Sequence, residues 1–252
     1  MGAPAPIIEM RGIRKRYGGV QALAGADFTV LPNEIHAIVG DNAAGKSSLI
    51  KALSGAAPAD EGLIRFDGRE AAIRDPRDAK ALGIETVYQD LALADNLDIP
   101  ANIFLGRELM RRGVMAPFMD LRRMNEEAAK LLGRLKIRIP DLRQTVRTLS
   151  GGQRQCVGIA RAVYFNARVI ILDEPTAALG VEETRKVLEL VREMREQGLS
   201  VIMISHNLAH VFDLCDRITV MKTGSVVLSK AVRETTRDEV LRYIVMGLEA
   251  AA

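Results

Sequence analysis

An α/β fold, with a mixed sheet whose core is parallel, follows from three features of the sequence. Apolar runs of strand length at residues 169–172 and 201–204 alternate with amphipathic stretches of helical period, the pattern of βαβ units. Ahead of them, residues 7–39 are β-rich and broken by Gly-Gly and Pro-Asn turn signals, which predicts an N-terminal antiparallel β subdomain. Between residues 91 and 147 the period turns helical, with many Arg and Glu and no β-branched runs, which predicts an inserted α-helical subdomain.

Taken in order, strands are expected over residues 7–14, 26–30 and 34–39. The last runs straight into Gly40-Asp41-Asn42-Ala43-Ala44-Gly45-Lys46-Ser47, and residues 48–54 continue with helical spacing that stops at Gly55. Within the helical insert, residues 122–135 carry the clearest amphipathic pattern. Then come a helix over 151–163, a buried strand over 169–172, an amphipathic helix over 181–197 and a second buried strand over 200–204. A hairpin joins 218–221 to 225–228 through Lys222-Thr223-Gly224. Thr236 caps a final helix over 237–246, whose Val240, Leu241, Ile244 and Val245 are expected to face the core.

Composition bounds the function. At 252 residues, 48% apolar and 27% charged, the chain is globular, and its net charge of +3 comes from interspersed signs rather than a basic block. A nucleic-acid partner is therefore not expected. Cys156 and Cys215 lie far apart in apolar stretches and are read as buried thiols of a reducing compartment. No apolar run approaches the ~18 residues of a membrane span, and Met-Gly-Ala-Pro-Ala-Pro has neither the charged nor the apolar part of a signal peptide, so a cytosolic location is expected.

Residues 40–47 fit G-x-x-x-x-G-K-[ST] between an expected strand and an expected helix. Such a loop wraps phosphates with backbone N–H groups, Lys46 adds a point charge at the outer phosphates, and the Ser47 hydroxyl is a ligand for Mg²⁺. The helix that follows aims its positive end at the same anion. Further on, the apolar strand at 169–172 empties into Asp173 and Glu174, two charges that are expensive there unless they meet a cation or a substrate. Asp173 is placed to hold the Mg²⁺ shell and Glu174 to polarise an attacking water.

With these motifs, Leu149-Ser150-Gly151-Gly152-Gln153 and Ser205-His206, the chain resembles the ATP-binding subunits of ABC transporters over nearly its whole length. The resemblance implies one P-loop ATPase domain over 1–252, with a nucleotide-binding core at 7–90 and 160–230, a helical signature subdomain at 91–159 and a C-terminal tail at 231–252. It implies that Tyr17 stacks on adenine, that Gln89 meets the metal or the attacking water, and that His206 holds the γ-phosphate. ATP is then sandwiched between residues 40–48, Ser48 included, of one subunit and Ser150 to Gln153 of a second, in a homodimer with two sites. Residues 83–98 and 102–107 are similar to the monosaccharide-importing branch, which implies an integral membrane permease as partner, a sugar-binding protein acting indirectly, and a place on the cytoplasmic face.

Two positions depart from the family pattern: Ala43 stands where Gly is usual in the phosphate loop, and Gly180 where Asp is common. An ABC ATPase acting on nucleic acid or ribosomes is the rival reading. Neither a heptad insert nor a second phosphate loop is present to favour it.

Overall fold

The computed structural model describes residues 5–113, 116 and 118–247. Residues 1–4, which begin the Met-Gly-Ala-Pro-Ala-Pro stretch, and residues 248–252 of the expected tail lie outside the described residues. Two compact units are present, one made of residues 1–88, 167–175 and 194–252, the other of residues 89–166 and 176–193.

The first unit holds two sheets. In one, β1 (Ile8–Tyr17) lies between β2 (Val20–Val30) and β4 (Glu61–Phe66), with the two-residue β5 (Arg69–Glu70) at the edge, all antiparallel. Ile8, Met10 and Ile13 of β1 are buried, and the register slips between Met10 and Ile13, where Gly12 adopts φ +60°. The other sheet has the order β10-β9-β3-β8-β7-β6, formed by β3 (Ile35–Val39), β6 (Ile84–Val87), β7 (Val169–Asp173), β8 (Ser200–Ile204), β9 (Arg217–Lys222) and β10 (Ser225–Ala231). All its pairings are parallel except β9 with β10. Every residue of β3 and β8 is buried, as expected for strands covered on both faces.

That burial leaves one polar residue of β3 to be satisfied inside the sheet. His36 has no solvent exposure; its Nδ1 lies 3.2 Å from Glu34 and its Nε2 2.7 Å from Thr219 Oγ1. Thr219 is in turn 3.1 Å from Ser229 Oγ, and Arg217 approaches Glu34 at 3.5 Å. Burial pushes the His36 imidazole below its ordinary range, opposed by the Glu34 carboxylate, while hydrogen bonds and charge from His36 hold Glu34 below its own range despite burial.

Sequence patterning locates the repeated βα elements to within a few residues. α1 (Lys46–Leu53), α5 (Gly151–Tyr164), α6 (Val181–Glu196) and α8 (Arg237–Met246) form where expected. The 91–147 stretch is less helical than its periodicity predicts: it yields α3 (Ile99–Ile103), α4 (Leu121–Arg134) and a 3₁₀ turn at Val146–Thr148. Buried Asn102 of α3 braces the residues before it: its amide donates to Ala94 O at 3.0 Å and Asp98 O at 2.9 Å and accepts from Ala94 N at 2.7 Å. β4, β6, α2 (Pro76–Ala81) and α7 (Leu208–Leu214) are short elements that the pattern does not announce. On α8, Val240 and Tyr243 are buried, whereas Leu241 is 46% and Val245 68% exposed, so the expected four-residue stripe is corrected. Residues 240, 243 and 244 share one helical face, and 241 and 245 are rotated ~100° away from it.

Because folding lowers the proton affinity of His36, its neutral form contributes fully above the unfolded value of 6.5, and that contribution is lost as pH falls below it. Urea unfolding between pH 7.5 and 5.5 should show a loss of up to about 1.4 kcal/mol from this group. His36→Gln should remove that part of the slope; an unchanged slope would refute the role assigned to His36.

Candidate functional site

The carboxyl ends of the parallel strands converge by register. Ile38 of β3 pairs with Ile204 of β8, and Ile204 with Asp173 of β7, so the phosphate loop, the acidic pair and the residues after β8 leave the same edge of the sheet.

The loop itself is shaped by backbone contacts. Gly40 has φ +148°, and a Cβ there would lie 2.3 Å from Met221 O; Gly45 has φ +101°, and a Cβ would lie 2.8 Å from Ala22 O. The turn between β9 and β10 closes the loop from outside: Gly224 N donates to Ala44 O at 3.0 Å, and Ala24 N of β2 donates to Gly224 O at 2.8 Å. Ala43 adopts φ +66°, the left-handed conformation that costs a residue with a Cβ about 1 kcal/mol. The loop therefore keeps the shape a glycine would take, with strain in place of freedom.

Gly45 is the N-cap of α1, and no side chain caps that end. The first-turn N–H groups, Ser47 and Ser48 among them, are left for an anion. Lys46 Nζ folds back onto Gly40 O at 2.7 Å and Asp41 O at 2.9 Å, which holds the ammonium over the loop. Burial pulls the Lys46 ammonium below the usual lysine range, opposed by the charges of Glu174, Asp41 and Asp173. Conversely, burial and the neighbouring Glu174 raise the Asp173 carboxyl, against the attraction of Lys46 and Lys51.

Glu174 sits at φ +51°, with its N–H bonded to Ile204 O at 3.1 Å, so the chain turns sharply as β7 ends. The turn brings its Oε2 within 2.9 Å of His206 Nδ1; His206 is 75% exposed and Glu174 largely covered. Ser205 N donates to Ile38 O at 3.4 Å, which fixes the residue before His206 to the strand that leads into the loop. Lys46, Asp173, Glu174 and His206 are thus brought together in the first unit.

Three other expected positions are elsewhere. Tyr17 pairs with Val20 at the tip of the β1–β2 hairpin, 43% exposed, with Lys15 Nζ 5.7 Å from its ring centre. Gln89 is exposed and opens the second unit two residues after β6, next to Tyr88, whose hydroxyl meets Ser54 Oγ at 3.1 Å. Ser150 to Gln153 begin α5 in the second unit as a capping box: Gln153 N donates to Ser150 Oγ at 3.3 Å, and Ser150 N to Gln153 Oε1 at 3.0 Å.

Two residues outside the sequence motifs also make contacts here. Lys222 donates to Ile244 O and Val245 O at the end of α8 and lies 3.8 Å from Asp41 of the phosphate loop. Nothing in its local sequence signals that. Glu183 touches the start of α5 and accepts from Gly180 N, and a Gly-x-x-Glu spacing lacks the hydroxyl that would make it a capping signal. His210 meets Asn207, and both cysteines are buried, with the Cys156 thiol pushed up to about 11 by burial.

Fold and site together define a P-loop nucleoside triphosphatase. The pattern that describes ABC transporters matches residues 23–177. The fructose import ATP-binding protein FrcA of Rhizobium meliloti is 50% identical over 226 residues, 88% of this chain and 87% of that one. The xylose/arabinose import ATP-binding protein XylG of Sulfolobus acidocaldarius is 47% identical over 234 residues, 93% of this chain and 92% of that one. Among solved structures, a nucleotide-free ATP-binding cassette from an ABC transporter superposes with a TM-score of 0.83 at 25% identity, covering 95% of this chain and 99% of that one. The chain belongs to the ABC transporter family, as an ATP-binding subunit that hydrolyses ATP. Among the described residues, no helix is long and apolar enough to cross a membrane.

Ala43→Gly should relieve the left-handed strain and raise unfolding stability by about 0.5–1 kcal/mol, read from the urea midpoint. A lower midpoint would show that the Cβ of Ala43 makes contacts that outweigh the strain.

Proposed function

We propose that this chain powers the import of a monosaccharide by closing on ATP as a homodimer and reopening after hydrolysis, its motion passed to an integral membrane permease on whose cytoplasmic face it sits. A sugar-binding protein would deliver the cargo. The observation that carries the chemistry is the meeting of Lys46, Asp173, Glu174 and His206 at one sheet edge beside an uncapped α1. Support for the cargo is the similarity to two sugar import ATP-binding proteins at 47–50% identity.

The residues present fit ATP with Mg²⁺. Ser47 and Asp173 offer the hard oxygen donors that Mg²⁺ favours, and that ion commonly takes only one or two carboxylates and completes its shell with water and substrate phosphates. When bound, the ion supplies charge neutralisation at the outer phosphates. The first-turn N–H groups of α1 and the loop from Gly40 to Ser48 bind the phosphate chain, and Lys46 orients its outer end. Tyr17, exposed on its hairpin tip, offers a flat ring for the adenine. Glu174 polarises the attacking water, and His206, 2.9 Å from its carboxylate, holds the γ-phosphate in line. Ser150 to Gln153 of the second subunit close over the same phosphate, since an α5 N-terminus is an anion site too.

Lys46→Ala should lower ATPase turnover by on the order of 100-fold or more, measured by phosphate release. Glu174→Gln should bind ATP yet turn over slowly and accumulate as an ATP-bound dimer; a monomer at saturating ATP would refute the closure scheme. Purifying tagged Glu174→Gln from its native cells in mild detergent with ATP should recover a multi-span permease by mass spectrometry. Recovery of ribosomal or DNA-processing proteins without a membrane protein would overturn the transport reading and leave the ATPase chemistry standing.

A further inference from the structure

The start of α5 is closed by a carboxylate from the same chain. Glu183, in the first turn of α6, accepts from Gly180 N at 3.3 Å and is hydrogen-bonded by the Ser150 hydroxyl and the Gly152 N–H. Glu183 packs directly on this start: a Cβ on Gly152 would lie 2.8 Å from Glu183 Cβ, and one on Gly151 would lie 3.7 Å from Glu183 Oε2. Thr184 N bonds Gly180 O at 2.9 Å, which makes Gly180 the first residue of the α6 turn. Having no side chain, Gly180 cannot cap that turn itself. One carboxylate therefore serves the N-termini of two helices, each presenting partial positive charge. These contacts hold the Glu183 carboxyl below the usual carboxylate range.

We propose that Glu183 is a positioning residue of the signature: its carboxylate occupies the donors of Ser150 and Gly152 and must give them up when a nucleotide phosphate arrives, so it sets the ATP concentration at which two subunits close. The inference rests on the sandwich reading above, in which those same donors meet the γ-phosphate. Two anions cannot share one set of donors, since the Ser150 hydroxyl has one proton and the Gly152 N–H one. With Glu183 in place the signature keeps its shape while the partner is away, and its affinity for phosphate is reduced by the exchange.

The test uses the full chain with ATP as the only probe. Dimer formation is followed by light scattering across an ATP series for Glu174→Gln, Glu174→Gln with Glu183→Gln, and Glu174→Gln with Glu183→Ala. Gln keeps the size and one acceptor but removes the charge. Both double variants should dimerise at about three- to ten-fold lower ATP than the single variant. In the Glu174 background, KM for ATP should fall with the Glu183 changes, a response a merely structural contact would not give. Thermal melts identify any variant that loses its fold, and Glu183→Gln, the conservative change, then decides. Equal or higher ATP requirements in the folded double variants would overturn the role of Glu183 alone. Failure of Glu174→Gln itself to dimerise would overturn both the sandwich reading and this inference.

Discussion

Backbone closure of the phosphate loop is the constraint on which the first unit turns. Three segments remote in sequence meet there: β2 at Ala22 and Ala24, the loop at Ala44 and Gly45, and the β9–β10 turn at Gly224, linked by Gly224 N to Ala44 O and Ala24 N to Gly224 O. No Cβ fits at Gly40 or Gly45, so the loop is held by main chain, with Ala44 N donating to Asp41 O at 3.1 Å within it. The antiparallel sheet is thereby tied to the nucleotide loop through hydrogen bonds that any substitution preserving the backbone would keep. At Ala43 the same closure enforces a left-handed residue where glycine would be relaxed.

Once the loop is fixed, parallel register arranges the charges. Strand pairing sets Asp173 opposite Ile204 and Ile204 opposite Ile38, so carboxylates, ammonium and imidazole arrive at one edge. The apolar strands behind them exclude water, and burial shifts Lys46 and Asp173 in opposite senses, each toward its neutral form. The two shifts are restrained by mutual attraction. A phosphate chain and a cation would supply the missing counter-charges, which is the physical reason that such a costly cluster can be kept.

The second unit solves a different problem, that of two helix N-termini close together. α5 opens on small residues with an internal capping box, and α6 opens on Gly180, which offers only its backbone. Glu183 satisfies both. The arrangement needs Gly152 to be glycine for steric reasons as well as for any ligand's access. At the other end of α5 the unit is packed by Phe104 against Tyr164 at 4.6 Å and braced by Arg161 donating to Leu91 O at 2.8 Å.

Local chemistry made much of this legible in the sequence. The loop motif, the apolar strands at 169–172 and 200–204, the helix at 237–246 with its Thr236 cap, and the acidic pair at the end of β7 are each written in contiguous residues, because backbone propensity and burial act over a few positions. Between 91 and 147 the described residues hold less helix than the periodicity predicts, since charge-rich periodicity is shared by helices and by loops pinned through a buried side chain such as Asn102. On α8, Leu241 and Val245 depart from the expected buried stripe, because an apolar residue reveals its burial only when a partner surface is known. Only tertiary structure decided that Glu174 meets His206, that Lys222 links α8 to Asp41, and that Glu183 closes α5. Those contacts join residues whose separation in sequence carries no period or motif, and they exist because strand register and helix packing bring remote groups within hydrogen-bond reach.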